Sequence, residues 1–395
     1  MKVVVTGIGI VSAIGNNVAA NETQLKLQKS GIDKAKNFKS RYTNSLNFGE
    51  VRLSDSELKK ILHITKKGYC RTALLATMAF KEAINHSKLT KSEIESYRTG
   101  FISSSTVGGM CNTDELYADA NMKGEPSEFI KTYGGGEHTL QLIKDFNIKG
   151  FTSTINTACS SSANAIMLGC RLIKAGRLDR VIVGGSDSLS KFSVNGFNSL
   201  MILSKEPCKP FDENRDGLTL GEGSGYLVLE RSDIAKNKKP LAEVIGYGNS
   251  NDAFHPSATS NEAFGPTLAM QRAIESTGIK KLNIDYINAH GTGTPNNDIT
   301  ELFAFNKIFS KIPPYNSTKS YTGHTLAAAG AIESIFSILS MKNNELYPSL
   351  NCLNPITKFN NPPIKKKTNI TIDTVMSNSF GFGGNCTSII FSKIK

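Results

Sequence analysis

The stretch from residue 152 to residue 185 constrains the fold more than any other part of the chain. A β-branched run over 152–155 predicts a strand, and apolar residues at helical spacing over 163–173 predict a helix. The apolar run over 180–184 predicts the strand that follows this helix. Strands that alternate with helices are typical of an α/β protein. The small polar turn between the first strand and the helix contains Cys159.

Cys159 is a candidate nucleophile because it lies where a strand turns into a helix. The N–H groups at a helix N-terminus have no partner inside the helix, and together with the helix dipole they stabilise a thiolate over a thiol. We therefore expect a lowered pKa for this thiol. The alternative is that Cys159 is a small packed side chain, as most buried cysteines are.

The length of 395 residues indicates two packed halves rather than a single core. The lysine-rich connector over 236–239, followed by Pro240, is the best boundary and divides the chain into 1–240 and 241–395. The second half repeats the first weakly. His324 is followed by apolar residues at helical spacing, as Cys159 is, so we expect two helix N-termini to converge about a pseudo-two-fold axis.

Composition excludes several classes of protein. The seven cysteines are scattered and form no Cys-x-x-Cys pair, so neither a disulfide framework nor a zinc site is indicated. The formal net charge of +12 favours an acidic partner. Nucleic acid is not expected to be that partner, because the basic clusters are short and have no interleaved aromatic residues.

The amino-terminal sequence predicts a buried strand over 3–9 rather than a signal peptide, since no small-residue cleavage pattern follows it. No apolar run approaches the length that spans a membrane. We therefore expect no membrane association and a cytoplasmic location.

Two histidines differ from the other four in their surroundings. His290 ends an apolar strand and precedes a turn rich in glycine and threonine, and His324 follows Lys319 by five residues. Asp298 and Glu301 resemble a capping box for the next helix. A cysteine, two histidines and a lysine suit acyl-thioester chemistry. Cysteine accepts an acyl group, and neutral imidazoles can donate hydrogen bonds to an enolate or an oxyanion.

Five motifs carry a resemblance to a known family. They are Thr157-Ala158-Cys159-Ser160-Ser161, the segment 210–217 with Gly221-Glu222-Gly223, the segment 290–295, Lys319 with Thr322-Gly323-His324, and the segment 378–384. In these motifs and their order, the chain resembles the elongating β-ketoacyl-acyl-carrier-protein synthases of the thiolase superfamily over essentially its whole length.

The resemblance implies a thiolase-like fold, with two βαβαβαββ halves stacked as a five-layer α-β-α-β-α sandwich. It assigns Cys159 as the nucleophile, and His290 and His324 as the pair that assists malonyl decarboxylation. Lys319 matches the lysine that sets the field and orientation around His324. The backbone N–H groups of Cys159 and Phe382 would form the oxyanion hole, and Phe382 would also be the gate.

The resemblance also implies how the substrates bind. Thr292 and Thr294 match hydroxyls that hold the phosphopantetheine arm of the carrier protein, and Val107 matches an acyl-pocket position at a dimer interface. Further substrate-binding positions around the gate are Phe380, Gly381 and Gly383. The carrier protein would dock on Lys66, Lys67 and Lys209. No cofactor is expected, because the substrates arrive on the carrier's own phosphopantetheine, and the partners are this carrier and a second copy of the chain.

The implied reaction is decarboxylative Claisen condensation of malonyl-carrier protein with an acyl chain on Cys159, giving a 3-ketoacyl-carrier protein in fatty acid biosynthesis. The alternative is a ketosynthase of a polyene, aryl-polyene or polyketide pathway that works beside a non-catalytic chain-length subunit. A degradative thiolase is disfavoured, because Cys386 would be its second cysteine and lies in the gate motif.

One segment departs from the family pattern, and one further site is shared with only some relatives. Asn385 and Cys386 follow Gly384, where the family commonly has threonine and then asparagine. No metal is required by the chemistry, although Asn297, Glu333 and Asn378 match a monovalent-cation site of some relatives.

Overall fold

A computed structural model of the protein describes residues 1–279 and 282–394. The helices are α1 Val18–Lys26, α2 Asp55–Leu62, α3 Arg71–Ser87, α4 Lys91–Ile94, α5 Thr113–Met122, α6 Glu137–Phe146, α7 Ser161–Lys174, α8 Lys191–Ser199, α9 Phe264–Glu275, α10 Pro295–Ile308, α11 Lys319–Thr322 and α12 Ala329–Asn343. The strands are β1 Val3–Val11, β2 Thr99–Ser104, β3 Thr152–Ile155, β4 Arg180–Asp187, β5 Gly223–Arg231, β6 Ala242–Asn251, β7 Tyr286–Asn288, β8 Tyr315–Asn316, β9 Glu345–Leu346, β10 Thr368–Asn369, β11 Thr374–Phe380 and β12 Asn385–Ser392.

The strands follow the same plan in both halves of the chain. The ten-stranded sheet has the order β3-β2-β4-β5-β1-β6-β12-β11-β7-β8, and β9 and β10 form a separate pair. Numbered within its own half, each five-strand set has the order 3-2-4-5-1. In both sets the first three strands in this order run parallel, and the next two pairings are antiparallel. The internal repeat expected from the sequence is therefore present in the topology.

The helices form layers on the two faces of each five-strand set. Helix α3 packs on the outer face of β1 and β5, and α9 packs on the outer face of β6 and β12. Helices α7 and α12 lie between the two sets and contact each other. They approach so closely that a Cβ on Gly330 would stand 2.7 Å from the backbone nitrogen of Ala163. This arrangement is the five-layer sandwich predicted for a thiolase-like fold.

The central layer is apolar because both of its helices are buried on nearly all sides. Helix α12 is buried from Ala329 to Met341, and its apolar residues pack with those of α7, β1, β5 and β11 in one core cluster. This rigid double layer carries the two turns that precede α7 and α12. Burial of apolar surface therefore holds the two halves in register at the place where the candidate site residues lie.

Candidate active site

Cys159 lies in the turn between β3 and α7, as the sequence predicts. The turn is tight, and Ala158, the residue before the cysteine, has a left-handed φ of 52°. Helix α7 begins two residues after the cysteine, at Ser161. The side chain of Ser161 accepts a hydrogen bond from the Thr157 N–H at 2.8 Å and so holds the turn closed. The thiol is thereby fixed at the end of the strand.

His324 occupies the equivalent place in the second half. A 3₁₀ turn over 326–328 leads into α12, so His324 precedes its helical segment by two residues, as Cys159 does. Leu326 has a left-handed φ of 52°, which matches the strain at Ala158. The sequence expectation of a helix directly after His324 is correct for the 3₁₀ turn, and the α-helix proper begins only at Ala329.

A cavity of about 370 Å³ brings the predicted chemistry together. Cys159, His290 and His324 all line it. The rings of His290 and His324 lie with their centroids 5.4 Å apart and nearly perpendicular, at 84°. The cavity is also lined by Thr292, Thr294, Phe380, Gly381 and Phe382 from the predicted substrate set.

Lys319 is buried beside His290 rather than in the cavity. Its Nζ lies 3.2 Å from Nδ1 of His290, and it donates to the His290 carbonyl at 2.6 Å and to Glu333 Oε1 at 2.5 Å. We expected Lys319 to orient His324. The hydrogen bond of its ammonium group is instead to the ring of His290, so this expectation is wrong. An ammonium group can only donate, so Nδ1 of His290 accepts and the imidazole proton lies on Nε2.

Both imidazoles are neutral at neutral pH. Burial, with the Lys319 ammonium as the second cause, holds the pKa of His290 and of His324 well below the usual range of histidine. The field of Lys319 therefore reaches His324 even though its hydrogen bond does not. Neutral imidazoles can donate a hydrogen bond to a developing negative charge without first losing a proton.

The thiol itself behaves differently from the sequence expectation. Burial raises the pKa of Cys159 to about 11, although the Phe382 N–H and the charge of Lys319 act in the opposite direction. The prediction of a lowered pKa is wrong, because Cys159 is buried and lies outside the first turn of α7. A reaction at this sulfur would therefore need a proton acceptor in the same cavity, and two neutral histidines line it.

The two segments that carry the oxyanion donors predicted from the sequence lie in close contact. The backbone N–H of Phe382 is near enough to the sulfur of Cys159 to lower its pKa. A Cβ on Gly381 would lie 2.7 Å from the Thr157 carbonyl oxygen and 3.1 Å from the Cys159 nitrogen, so only glycine fits there. The ring of Phe382 stacks on Phe197 with centroids 5.6 Å apart.

A second cavity, of about 380 Å³, adjoins the thiol. It shares Cys159, Phe197 and Phe382 with the first cavity, and apolar side chains such as Met110, Leu200 and Leu326 line the remainder. Val107, the predicted acyl-pocket residue, does not line this space. It is buried behind it against Leu189 and Val194, and its neighbours Thr106 and Met110 face the cavity.

Two carboxylates that the sequence assigned to a helix cap instead hold the loop that begins at His290. Helix α10 is capped at Thr294 without a side-chain bond. Glu301 accepts from the N–H groups of His290 and Gly291 at 2.9 and 2.8 Å. Asp298 accepts from the Thr292 N–H at 3.0 Å. The glycine-rich turn in the sequence could have predicted this role. A buried turn has backbone N–H groups outside any helix or strand, and these groups need acceptors.

The remaining predicted residues lie in separate places. Lys209 is next to the glycine- and threonine-rich turn that follows His290. A Cβ on Gly293, in that turn, would stand 3.5 Å from the backbone nitrogen of Lys209. Lys66 and Lys67 are exposed on the loop after α2, where Lys66 lies 3.8 Å from Asp145. Gly383 is exposed, with a φ of 78°.

The three residues of the expected cation site have different partners. Asn297 donates to Asp298 at 3.2 Å, Asn378 donates to Glu301 at 3.2 Å, and Glu333 pairs with Lys319. Burial raises the pKa of Glu333 to about 7, and its second oxygen has no hydrogen-bond partner. Each of the three side chains thus has a different hydrogen-bond partner, and the cation site stays a prediction.

Comparison with known proteins identifies the family. Residues 1–235 match the description "Beta-ketoacyl synthase, N-terminal domain", and residues 241–353 match "Beta-ketoacyl synthase, C-terminal domain". The chain is 33% identical to 3-oxoacyl-[acyl-carrier-protein] synthase 1 of Haemophilus influenzae, with 99% of each chain covered. The chain belongs to the β-ketoacyl synthase family. The resemblance drawn from the five motifs is confirmed, and this family member is an acyltransferase of the condensing-enzyme class.

Solved ketosynthases share the fold over its whole length. The ishigamide ketosynthase/chain length factor superposes on this synthase with a TM-score of 0.93 at 26% identity, covering 100% of this chain and 99% of the other. A ketosynthase from Xenorhabdus doucetiae, solved in complex with its chain length factor, gives a TM-score of 0.86 at 30% identity, covering 100% and 98%. Within 1–279 and 282–394, no helix of the synthase is long and apolar enough to cross a membrane.

Proposed function

We propose that this synthase condenses malonyl-carrier protein with an acyl chain on Cys159 and releases a 3-ketoacyl-carrier protein lengthened by two carbons. The observation that carries the proposal is the 370 Å³ cavity, in which one thiol and two neutral imidazoles face the same space. A thiol accepts the acyl group, and paired imidazoles stabilise the enolate.

In the first half of the reaction, the sulfur of Cys159 attacks the thioester carbonyl of an acyl-carrier protein. The backbone N–H groups of Cys159 and Phe382 bind the oxygen of the tetrahedral intermediate. The carbon–sulfur bond to the phosphopantetheine arm then breaks. Because the pKa of Cys159 is about 11, its proton passes to a cavity histidine and from there to the departing thiolate.

In the second half, the malonyl group enters the same cavity with its arm against Thr292 and Thr294, whose hydroxyls lie 2.9 Å apart. The bond to the malonyl carboxylate breaks and carbon dioxide leaves. The enolate oxygen is bound by His290 through Nε2–H and by His324. The enolate carbon attacks the Cys159 thioester, and the cysteine sulfur leaves as the new carbon–carbon bond forms.

The same proposal names the partners and the setting. An acidic carrier protein suits the net charge of +12. Of the three lysines predicted to contact it, Lys209 lies beside the turn that follows His290. A second copy of the chain would pair along β3, a half-exposed strand at the end of the sheet. The cytoplasm is the proposed location. No resident cofactor is required, since the carrier brings the phosphopantetheine.

Acyl transfer is tested by mass spectrometry after incubation with a fatty acyl-carrier protein. The acyl adduct is expected on Cys159 and should be absent from Cys159→Ala. An adduct at another residue, or one that survives this substitution, contradicts the mechanism. His290→Ala and His324→Ala are expected to lose malonyl decarboxylation while Cys159 retains some acylation. Full condensation by either variant would refute the role of the two histidines.

The second candidate function is a ketosynthase of a specialised polyene or polyketide pathway that acts beside a chain-length subunit. Its support is the likeness to two ketosynthases that are each described together with a chain length factor. The discriminating experiment is a condensation assay with acyl primers of increasing length and unsaturation. Repeated condensation that begins only when a second, related subunit is added would favour this candidate over fatty acid elongation by the chain alone.

A further inference from the structure

The two proposed oxyanion donors belong to segments that are distant in sequence. One is the N–H of Cys159, in the turn over 157–160 that we call the cysteine turn. The other is the N–H of Phe382, in the loop over 381–384 that we call the gate loop. A useful oxyanion hole requires both N–H groups at a fixed separation, so some group must hold these two segments together.

Asn385 contacts both segments. Its backbone carbonyl accepts a hydrogen bond from the Gly381 N–H at 2.8 Å, which closes the gate loop at its base. Its side-chain Oδ1 accepts from the hydroxyl of Ser160 at 2.8 Å. Ser160 directly follows Cys159, and its hydroxyl oxygen also lies 2.8 Å from the Thr157 carbonyl oxygen. One residue therefore links the loop of one donor to the turn of the other.

A polar cluster fixes the side chain of Asn385. Its Oδ1 also accepts from the side-chain amides of Asn164 on α7 and Asn249 on β6, at 2.8 and 2.9 Å. The Asn164 amide donates in addition to Thr157 Oγ1 at 2.8 Å. Thr387 donates to Asn164 Oδ1 at 2.9 Å, and Asn249 does so at 3.0 Å. A carbonyl oxygen with several aligned donors has little freedom to move.

We propose that Asn385 is a positioning residue that sets the separation of the Cys159 and Phe382 N–H groups, and hence the rate at which Cys159 is acylated. The proposal rests on the proposed function, because acyl transfer is the step that uses this pair of donors. Asn385 is not among the residues that line either cavity, so it acts through Ser160 and Gly381. Malonyl decarboxylation depends on His290 and His324 and does not depend on this separation.

The test compares two half-reactions in the Asn385→Leu variant, whose side chain has the same branched shape, is larger and has no hydrogen-bond acceptor. Acylation of Cys159 by acyl-carrier protein, followed by intact-mass spectrometry, is expected to slow by at least about tenfold, as a misplaced donor pair should produce. Carbon dioxide release from malonyl-carrier protein is expected to stay within about threefold of the unsubstituted enzyme, since that step uses other donors.

Ser160→Ala removes the other end of the same link with a smaller change in volume. It should slow acylation selectively too, and the double variant should be no slower than the more impaired single variant, because the two side chains act as one unit. Asn21→Ala is the matched control. Asn21 is a fully buried, hydrogen-bonded asparagine, whereas Asn385 is partly buried, and it lies in α1, where it accepts from Ser12. This control should lower stability and leave the ratio of the two half-reactions unchanged.

The outcomes separate the inference from the proposed function. If the unsubstituted enzyme does not acylate Cys159, the proposed function fails. If it does, and Asn385→Leu either acylates normally or loses both half-reactions equally, the positioning role is refuted. Additive losses in the double variant would likewise refute a shared action of Ser160 and Asn385.

Discussion

Gly381→Ala tests the contact between the gate loop and the cysteine turn. The added methyl group would lie 2.7 Å from the Thr157 carbonyl oxygen, which is 0.7 Å less than the 3.4 Å at which ordinary contact begins. It would also lie 3.1 Å from the Cys159 nitrogen. Both neighbours are backbone atoms, so no side chain can rotate away to relieve the overlap. The two segments must separate.

The size of that separation sets the expected effect. A displacement of about 0.7 Å moves the Phe382 N–H away from the Cys159 N–H. Loss of one oxyanion donor costs roughly 10²- to 10³-fold in rate, and a misplacement of about 1 Å costs roughly 10²-fold. We therefore expect acylation of Cys159 to slow by about 30- to 100-fold. Forced overpacking of this kind also lowers the free energy of unfolding by about 1–3 kcal/mol.

Single-turnover acylation with acyl-carrier protein measures the effect, and urea denaturation measures the cost in stability. Gly383→Ala is the matched control in the same loop. A Cβ at Gly383 meets no atom within 4 Å, although the φ of 78° makes the substitution strained. It should lower stability by about 1 kcal/mol and slow acylation far less. Normal acylation by folded Gly381→Ala would refute the reasoning.

Three further predictions concern titration. Lys319→Met removes the ammonium 3.2 Å from His290, so the pKa of that imidazole should rise, and because burial remains the larger cause it should stay below 6.5. Decarboxylation at pH 6 should then fall relative to pH 8 by no more than about fourfold, and an unchanged ratio would contradict this. Alkylation of Cys159 by iodoacetamide, followed by peptide mass spectrometry, should rise about tenfold per pH unit from 7 to 10 because its pKa is about 11, and a plateau below pH 9 would contradict the burial argument. Burial lowers the pKa of His138 to about 4. As the pH falls from 6.5, this histidine is therefore protonated in the unfolded chain before it is protonated in the folded one. The free energy of unfolding should then decrease by about 1.4 kcal/mol per pH unit through this group. Urea denaturation of His138→Gln should show a weaker loss over that range, and an identical slope would refute it.

The sequence predicts the fold and the thiol and imidazoles that line the first cavity, because both follow local patterns. The β-branched residues and the apolar periodicity around Cys159 predict its strand, turn and helix. The similar pattern after His324 predicted that this histidine occupies the equivalent position in the second half. These signals concern residues close together in the chain. They are unaffected by how distant segments pack.

The errors all concern which partners the buried polar and charged groups have once the chain is folded. The pKa of Cys159 depends on burial by residues from the other half, which outweighs the helix end. Lys319 turns to His290 because Glu333, from the next helix, fixes its ammonium group. Asp298 and Glu301 have the spacing of a capping box. Their oxygens instead accept hydrogen bonds from backbone N–H groups of the buried turn before the helix. Periodicity and spacing contain no information about such competition.

The two cavities beside the nucleophile have a consequence for how this enzyme can change its products. Cys159, Phe197 and Phe382 line both spaces, whereas Met110 and Leu200 line only the apolar one and Thr259 and Asn296 only the other. Under the proposed function, the growing chain would contact the apolar set of side chains and the incoming building block the other set. A substitution at Met110 would then shorten or lengthen the accepted primer without altering the choice of extender. Evolution, or an engineer, can adjust the two selections one at a time.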